Sequence, residues 1–329
     1  MTSSGQSNES GYSHYSIIVH YLESVARFVP ETRVPALQQL KDVIPTLPSP
    51  LALAALQNGP PNNAAQTLPL VSTAQGLLPL LDENQSANPL GWETVAALNH
   101  ILADLADQLG AALRLEKASL VHGLYVIIDP EVTGGRDPLA VAEAAVRGGA
   151  RMLQLRDKLR DKGESLPLAM ALQNLCQGSG AQLIVNDHAD VAAVVGSAGL
   201  HVGQTDLPIS QARQALAPDQ VVGRSNHEFE ELVESQEMGA DHLAFGPIYQ
   251  TGTKGVSRSP QGTERVRQAR EIAKTPLVAI GGINAENAAP VVEAGADAIC
   301  VAAAVGLAPE PEAAAARLVK SIEEAGGRV

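Results

Sequence analysis

Apolar residues follow two rhythms along this chain, and the change falls near residue 120. Before it, they recur every three or four positions, the spacing of a helix with one buried face. SIIVHYLESVARFV shows this at Ile17, Tyr21, Val25 and Phe28, and it recurs in VPALQQLKDVI and VSTAQGLLPLL. It is strongest in WETVAALNHILADLADQLGAALRLEKASL, where Val95, Leu98, Leu102, Leu105 and Leu109 make a stripe. Breakers separate these stretches: Pro45, Pro48 and Pro50, then NGPPNN and ENQSANP.

After residue 120, short apolar runs alternate with segments of helical pattern. The runs are LYVIID (124–129), MLQLRD (152–157), QLIVND (182–187), LHVG (200–203), VVGRS (221–225), HLAFGPI (242–248), PLVAIGGI (276–283) and AICVAAAV (298–305). Helices are expected between them in DPLAVAEAAVRGG, ESLPLAMALQNLCQG, ADVAAVVG, ISQARQAL, EFEELVESQEMG, GTERVRQAREIA and AENAAPVVEAG, and at the end in PEAAAARLVKSIEEAG. Strand–helix alternation implies a parallel sheet, and eight such units predict an α/β fold, a (β/α)8 TIM barrel. The expected organisation is a disordered tail over 1–14, a smaller all-α N-terminal domain over 15–118, and the barrel over 119–329.

Composition narrows the function classes. The chain is 45% hydrophobic and 18% charged, as a soluble globular protein is, and its net charge of −13 argues against a nucleic-acid partner. No apolar run approaches the roughly 18 residues that span a bilayer, so no membrane partner is expected. The polar start MTSSGQSNES lacks the pattern of a signal peptide. Cys176 and Cys300 are far apart and form no CxxC pair, which suits a reduced, cytoplasmic protein with two buried thiols.

In a (β/α)8 barrel the C-terminal strand ends and the loops after them face one site. The polar clusters of this chain stand at those ends. On the second strand Gln154, Arg156 and Lys158 alternate and are expected to share a face, two of them cations suited to phosphate oxygens. The third run closes with Asn186 and Asp187, and HVGQTD after the fourth ends in Asp206. Two carboxylates at one rim repel unless a proton or cation lies between them, and Mg²⁺ held by such a pair plus phosphate oxygens answers that need. An N-cap role for Asp187 and a turn role for Asp206 are the structural alternatives. His188 and His201 lack a third close ligand for zinc.

The fifth strand ends in GRSNH, which puts Ser225 where it can donate to a phosphate but with no triad partners beside it. The sixth leads into GPIYQTGTK, with Thr251, Thr253 and Lys254 around Gly252. Gly281 and Gly282 follow the seventh strand and expose backbone N–H groups, where barrels of this kind often hold a phosphate. A metal-linked pyrophosphate at one side and a single phosphate at the other predict a transferase from which pyrophosphate leaves.

GGARMLQLRDK, IVNDHADVA, GLHVGQTDLP, GRSNH, FGPIYQTGTK, AIGGIN and AGADAICVAAAV together resemble the thiamine-phosphate synthase family across residues 122–327. The resemblance implies condensation of 4-amino-2-methyl-5-(diphosphooxymethyl)pyrimidine with a thiazole phosphate, carboxylated or not, in thiamine biosynthesis. By matching position, Gln154, Arg156, Lys158 and Asn186 would bind the pyrimidine diphosphate, and Asp187 and Asp206 would ligate Mg²⁺. Lys158, Ser225 and Lys254 would carry catalysis on the diphosphate. Thr251, Thr253, Gly282 and the amides of Ala302 and Ala303 would bind the thiazole phosphate.

The chain departs from the family's pattern at three positions. Ala303 stands where serine is frequent, Gln250 where proline is frequent, and Asn226 where threonine is usual. Two other readings stay open at this point: a thiazole tautomerase-like barrel, and a non-catalytic regulator that senses thiazole phosphate. The resemblance does not reach the N-terminal helical part, for which an oligomerisation module, as in a homo-oligomer, is one expectation.

Overall fold

The computed structural model describes residues 64–79, 91–251 and 259–329. The expected tail over 1–14 and the expected helices in SIIVHYLESVARFV and VPALQQLKDVI lie outside the described residues. The chain divides into two compact units, Met1–Leu113 and Arg114–Val329.

The first unit contains helix α1 (Ala64–Leu77) and most of α2 (Gly91–Ala118). α1 starts earlier than the VSTAQGLLPLL pattern predicts. Leu68, Val71 and Ala74 on it are buried, and Pro69 lies inside the helix. In α2 the stripe from Val95 to Leu109 is buried as its spacing requires. The last turn of α2 belongs to the second unit, where Lys117 pairs with Asp219 at 2.6 Å and Arg114 donates to the Pro218 carbonyl.

In the second unit the eight apolar runs become eight parallel strands that close on themselves in sequence order. They are β1 (Gly123–Ile128), β2 (Met152–Leu155), β3 (Gln182–Asn186), β4 (Gly199–Val202), β5 (Val221–Asn226), β6 (His242–Phe245), β7 (Leu277–Ile280) and β8 (Ala298–Val301). Helices α3 (Pro138–Arg147), α4 (Lys162–Ser179), α5 (Ala189–Val195), α6 (Ile209–Ala215), α7 (Phe229–Glu237), α8 (Gly262–Ile272), α9 (Ala289–Glu293), the short α10 (Ala303–Gly306) and α11 (Pro311–Glu324) complete it.

Strand parity sorts the core into two layers, because successive side chains point to opposite faces. Leu124, Val126, Leu153, Leu183, Leu200, Phe245 and Ile299 face outward beneath the helices. Tyr125, Ile127, Met152, Ile184, Ala244, Val278 and Cys300 fill the interior. An interior this short of aromatics packs by small and branched side chains, and Gly223 shows the consequence. A Cβ there would collide with the imidazole of His242, which occupies the space that glycine leaves.

The run AICVAAAV does not stay extended. β8 stops at Val301, and the Val305, Gly306 and Leu307 amides turn back onto Ala302 and Ala303 to make α10. Alanine favours helix once the strand has left its neighbours. Arg136 then donates to the carbonyls of Gly306 and Pro309, at 3.2 and 3.3 Å, and holds the C-terminal end of that turn. No helix among the described residues is long and apolar enough to cross a membrane.

Candidate active site

A cavity of about 430 Å³ opens at the C-terminal ends of the strands. Arg156, Lys158, Asn186, Asp187, Asp206 and Ser225 line one part of it, on strands β2 to β5 and their loops. Thr251, Gly282, Ala302 and Ala303 line another. β7 and β8 lie across the closed barrel from β3 and β4, so the two groups face each other over the interior. Of the other expected residues, Thr253 and Lys254 lie outside the described residues, as does Gly252.

Gln154 does not line the cavity. Its side chain points into the barrel, 4% exposed, and its amide donates to the Tyr125 hydroxyl at 2.8 Å. Burial pushes the Tyr125 phenol well above its ordinary range, so it stays protonated. The alternation over Gln154, Arg156 and Lys158 therefore does not bring all three to the height of the cavity. β2 ends at Leu155, and the two cations stand on the loop beyond it.

Arg156 forms an ion pair with Asp129 at the end of β1. Asp129 is nearly fully buried, and its other oxygen accepts from the Glu131 amide at 3.0 Å, capping the 3-10 turn Pro130–Val132. Lys158 pairs with Asp187. Asp157 between them turns away from the cavity. Burial pushes its carboxyl up, but hydrogen bonds from Ser165, the Leu159 amide and Arg160 outweigh that and hold it below the usual range.

Asp187 is the one non-glycine residue of positive φ among the described residues, at 63°. Aspartate tolerates this left-handed conformation better than most side chains, though a residue so placed costs on the order of 1 kcal/mol. Its amide donates to the His201 carbonyl at 2.8 Å, which anchors the turn to β4. Asp206 arrives from the loop after β4, where the Gly203 amide donates to its carboxylate at 2.7 Å. Burial, and then Asp187 beside it, push the Asp206 carboxyl above its ordinary range, against the Gly203 amide and Lys158.

Two carboxylates in mutual repulsion are a hard-oxygen donor set suited to a divalent cation that takes its other ligands from phosphate and water. Among the described residues no group of three or more His, Cys, Asp or Glu has the arrangement of a self-sufficient metal site. That donor set fits Mg²⁺ and does not fit structural zinc.

Ser225 sits at the end of β5, its hydroxyl 2.8 Å from His201 Nε2. Gln204 donates to the Ser225 carbonyl at 2.6 Å and accepts from Arg224 at 2.7 Å, so the loop bearing Asp206 is tied to β5. Asn226 donates to the Arg224 carbonyl and accepts from Ser235, a buried structural role for one of the departures from the family's pattern. Gln250, another of them, is exposed.

At the opposite rim Gly281 and Gly282 have φ of 103° and 70°. A Cβ on Gly282 would lie 2.6 Å from the Gln250 carbonyl oxygen and 2.8 Å from Tyr249 Cβ, so only glycine closes this turn. The first turn of α10 leaves the Ala303 and Ala304 amides without intrahelical acceptors. Ala303 presents backbone alone, having no hydroxyl.

Asp129, His201 and Gln204 line the cavity and were not expected to contribute. Asp129 closes LYVIID as Asp187 closes QLIVND, and that parallel was the available signal. His201 and Gln204 carry none, because their partners lie on a neighbouring strand.

Comparison with known proteins follows the same strands. The family described as thiamine monophosphate synthase matches residues 124–305. A thiamine-phosphate synthase of Shouchella clausii is 43% identical over 202 residues, covering 61% of this chain and 97% of that protein. One from Moorella thermoacetica is 42% identical over 205 residues, covering 62% and 98%. The solved structure of a thiamine phosphate pyrophosphorylase from Pyrococcus furiosus superposes with a TM-score of 0.58 at 33% identity, over 64% of this chain and 100% of that one. With more than half its length matched, and with relatives covered almost end to end, the chain belongs to the thiamine monophosphate synthase family.

Proposed function

We propose that this chain is a thiamine-phosphate synthase that joins a pyrimidine diphosphate to a thiazole phosphate, plain or carboxylated, and releases pyrophosphate. The observation that carries the reading is one cavity with cations, a carboxylate pair and a hydroxyl on one rim and bare glycine and alanine amides on the other. A tautomerase or a non-catalytic sensor needs only the second rim, so the intact first rim favours the synthase.

Arg156, Lys158 and Ser225 bind the diphosphate oxygens, and Asn186 holds the same substrate. Asp187 and Asp206 would hold Mg²⁺, which supplies positive charge to neutralise the departing pyrophosphate. The bond between the pyrimidine methylene carbon and the diphosphate oxygen breaks, its electron pair leaving on the pyrophosphate. The aminopyrimidine ring stabilises the cation left behind. The thiazole nitrogen lone pair then forms the new carbon–nitrogen bond, its phosphate anchored by Thr251, Gly282 and the Ala302 and Ala303 amides. Roles for Lys254 on the diphosphate and Thr253 on the thiazole phosphate follow from the resemblance alone.

The chemistry asks for charge stabilisation, alignment and exclusion of water rather than a strong base. Ile127, Ala244, Ile280, Ile283 and Val301 supply an apolar lining that keeps water from capturing the cation. A cytoplasmic setting suits the two buried cysteine thiols. We place all catalytic residues in the barrel, the domain expected over 119–329, and assign none to the helical part over 15–118.

The test is an assay with both phosphorylated substrates and Mg²⁺, with and without EDTA, reading thiamine phosphate. Product that forms with Mg²⁺ and stops with EDTA is expected. Absence of product with both substrates and metal present overturns the reading.

A further inference from the structure

We propose that His201 is a positioning residue that aims the Ser225 hydroxyl at the diphosphate, by giving that hydroxyl a hydrogen bond from Nε2. The inference rests on the reading that Ser225 contacts the diphosphate, and it assigns a role to a side chain that the sequence weighed only as a zinc ligand.

The geometry is local and well determined by its neighbours. β4 and β5 pair in parallel, with His201 opposite Gly223. The imidazole Nε2 lies 2.8 Å from Ser225 Oγ, and His201 is 6% exposed at the cavity floor. The Ser225 main chain is pinned by Gln204 at its carbonyl. The direction of the hydroxyl proton is the freedom that remains.

A serine hydroxyl has one proton and two lone pairs. If that proton went to His201, the oxygen would turn only lone pairs toward the cavity, and phosphate oxygens would meet repulsion. If Nε2 is the donor, a lone pair of Oγ is occupied and the proton is free to point at the substrate. An anionic diphosphate beside the pair favours the second arrangement.

The imidazole is also held from behind. His242 stands with its ring centroid 5.9 Å from that of His201, at an interplanar angle of 30°, in the space left by Gly223. The His201 carbonyl accepts from the Asp187 amide. One residue therefore sets both a metal-side carboxylate, through its main chain, and the diphosphate hydroxyl, through its ring.

The experiment is a double-mutant cycle on the full chain with Mg²⁺ and saturating thiazole phosphate, reading kcat and KM for the pyrimidine diphosphate. His201→Leu removes the donor, His201→Gln keeps an N–H near the Nε2 position, and Ser225→Ala removes the hydroxyl. His201→Leu is expected to lower kcat/KM roughly 10-fold or more, with His201→Gln recovering most of it. In the Ser225→Ala background the leucine substitution is expected to cost nothing further.

Multiplicative losses in the double variant overturn the proposal, as does full activity of His201→Leu where Ser225→Ala is impaired. An unimpaired Ser225→Ala enzyme instead removes the diphosphate role of Ser225 on which the proposal stands. Should His201→Leu fail to fold, His201→Asn serves, since its amide reaches the Nδ1 position: Gln active and Asn impaired is expected, and equal activity of the two overturns it.

Discussion

The Lys158 ammonium and the Asp187 carboxylate pair across two adjacent barrel loops, joining the cation of one strand end to the carboxylate of the next. Asp187 holds that position from a left-handed backbone, braced on the His201 carbonyl. Asparagine is the sharpest probe here, because it tolerates the same backbone and keeps the side-chain shape. Asp187→Asn is expected to lower kcat on the order of 100-fold or more while leaving the thermal midpoint nearly unchanged. A Mg²⁺ titration of the rate checks it, and wild-type activity at ordinary Mg²⁺ would remove Asp187 from the metal site.

Asp129 plays the corresponding part for Arg156. It is almost inaccessible to solvent and serves the 3-10 turn as well as the guanidinium. Asp129→Ala strands a half-buried cation and uncaps the turn, so a loss of roughly 3 kcal/mol in urea unfolding is expected. Asp129→Asn keeps the cap acceptor but turns its amide N–H₂ toward the guanidinium, so Arg156 loses both the charge and the acceptor it pairs with. This variant should fold well and raise KM for the pyrimidine diphosphate roughly 10-fold.

Gly223 is there for space. Adding a methyl puts it into the His242 ring, and interiors this dense absorb such an intrusion only by shifting side chains off their rotamers. Gly223→Ala is expected to cost about 2 kcal/mol by chemical denaturation. The cost should shrink in a His242→Ala background, where the ring is gone. Equal cost in both backgrounds would place the strain elsewhere.

His242 also makes stability depend on pH. Burial lowers its pKa from 6.5 to about 4, against a small opposing pull from Asp241. Between those two values the unfolded chain binds a proton that the folded chain refuses. Stability is therefore full above pH 6.5, falls as pH drops toward 4, and loses no more below that, with a total of about 3 kcal/mol from this group. His242→Leu should flatten that part of the urea-unfolding profile, and an unchanged slope would show that His242 does not titrate on unfolding.

Much of this protein is legible in its sequence. The change of period near residue 120, from three or four to short apolar runs, announces eight strand–helix units, and eight parallel strands close in order. Because a parallel barrel brings all C-terminal strand ends together, Arg156, Lys158, Asn186, Asp187, Asp206, Ser225, Thr251, Gly282, Ala302 and Ala303 all line one cavity. Connectivity alone places them, and connectivity is written in the order of the chain.

Depth and partnership are not written there. Gln154 shares the parity of Arg156 yet lies below the cavity against Tyr125, because parity assigns a face of the strand and not a height along the barrel axis. The short α10 in place of more strand depends on where β8 runs out of neighbours. Asp129 meeting Arg156, and His201 meeting Ser225, are contacts across strands. Local spacing determined which strand ends carry charge. The tertiary structure decided which side chains line the cavity and which hold those that do, since strand register and barrel closure set the distances between them.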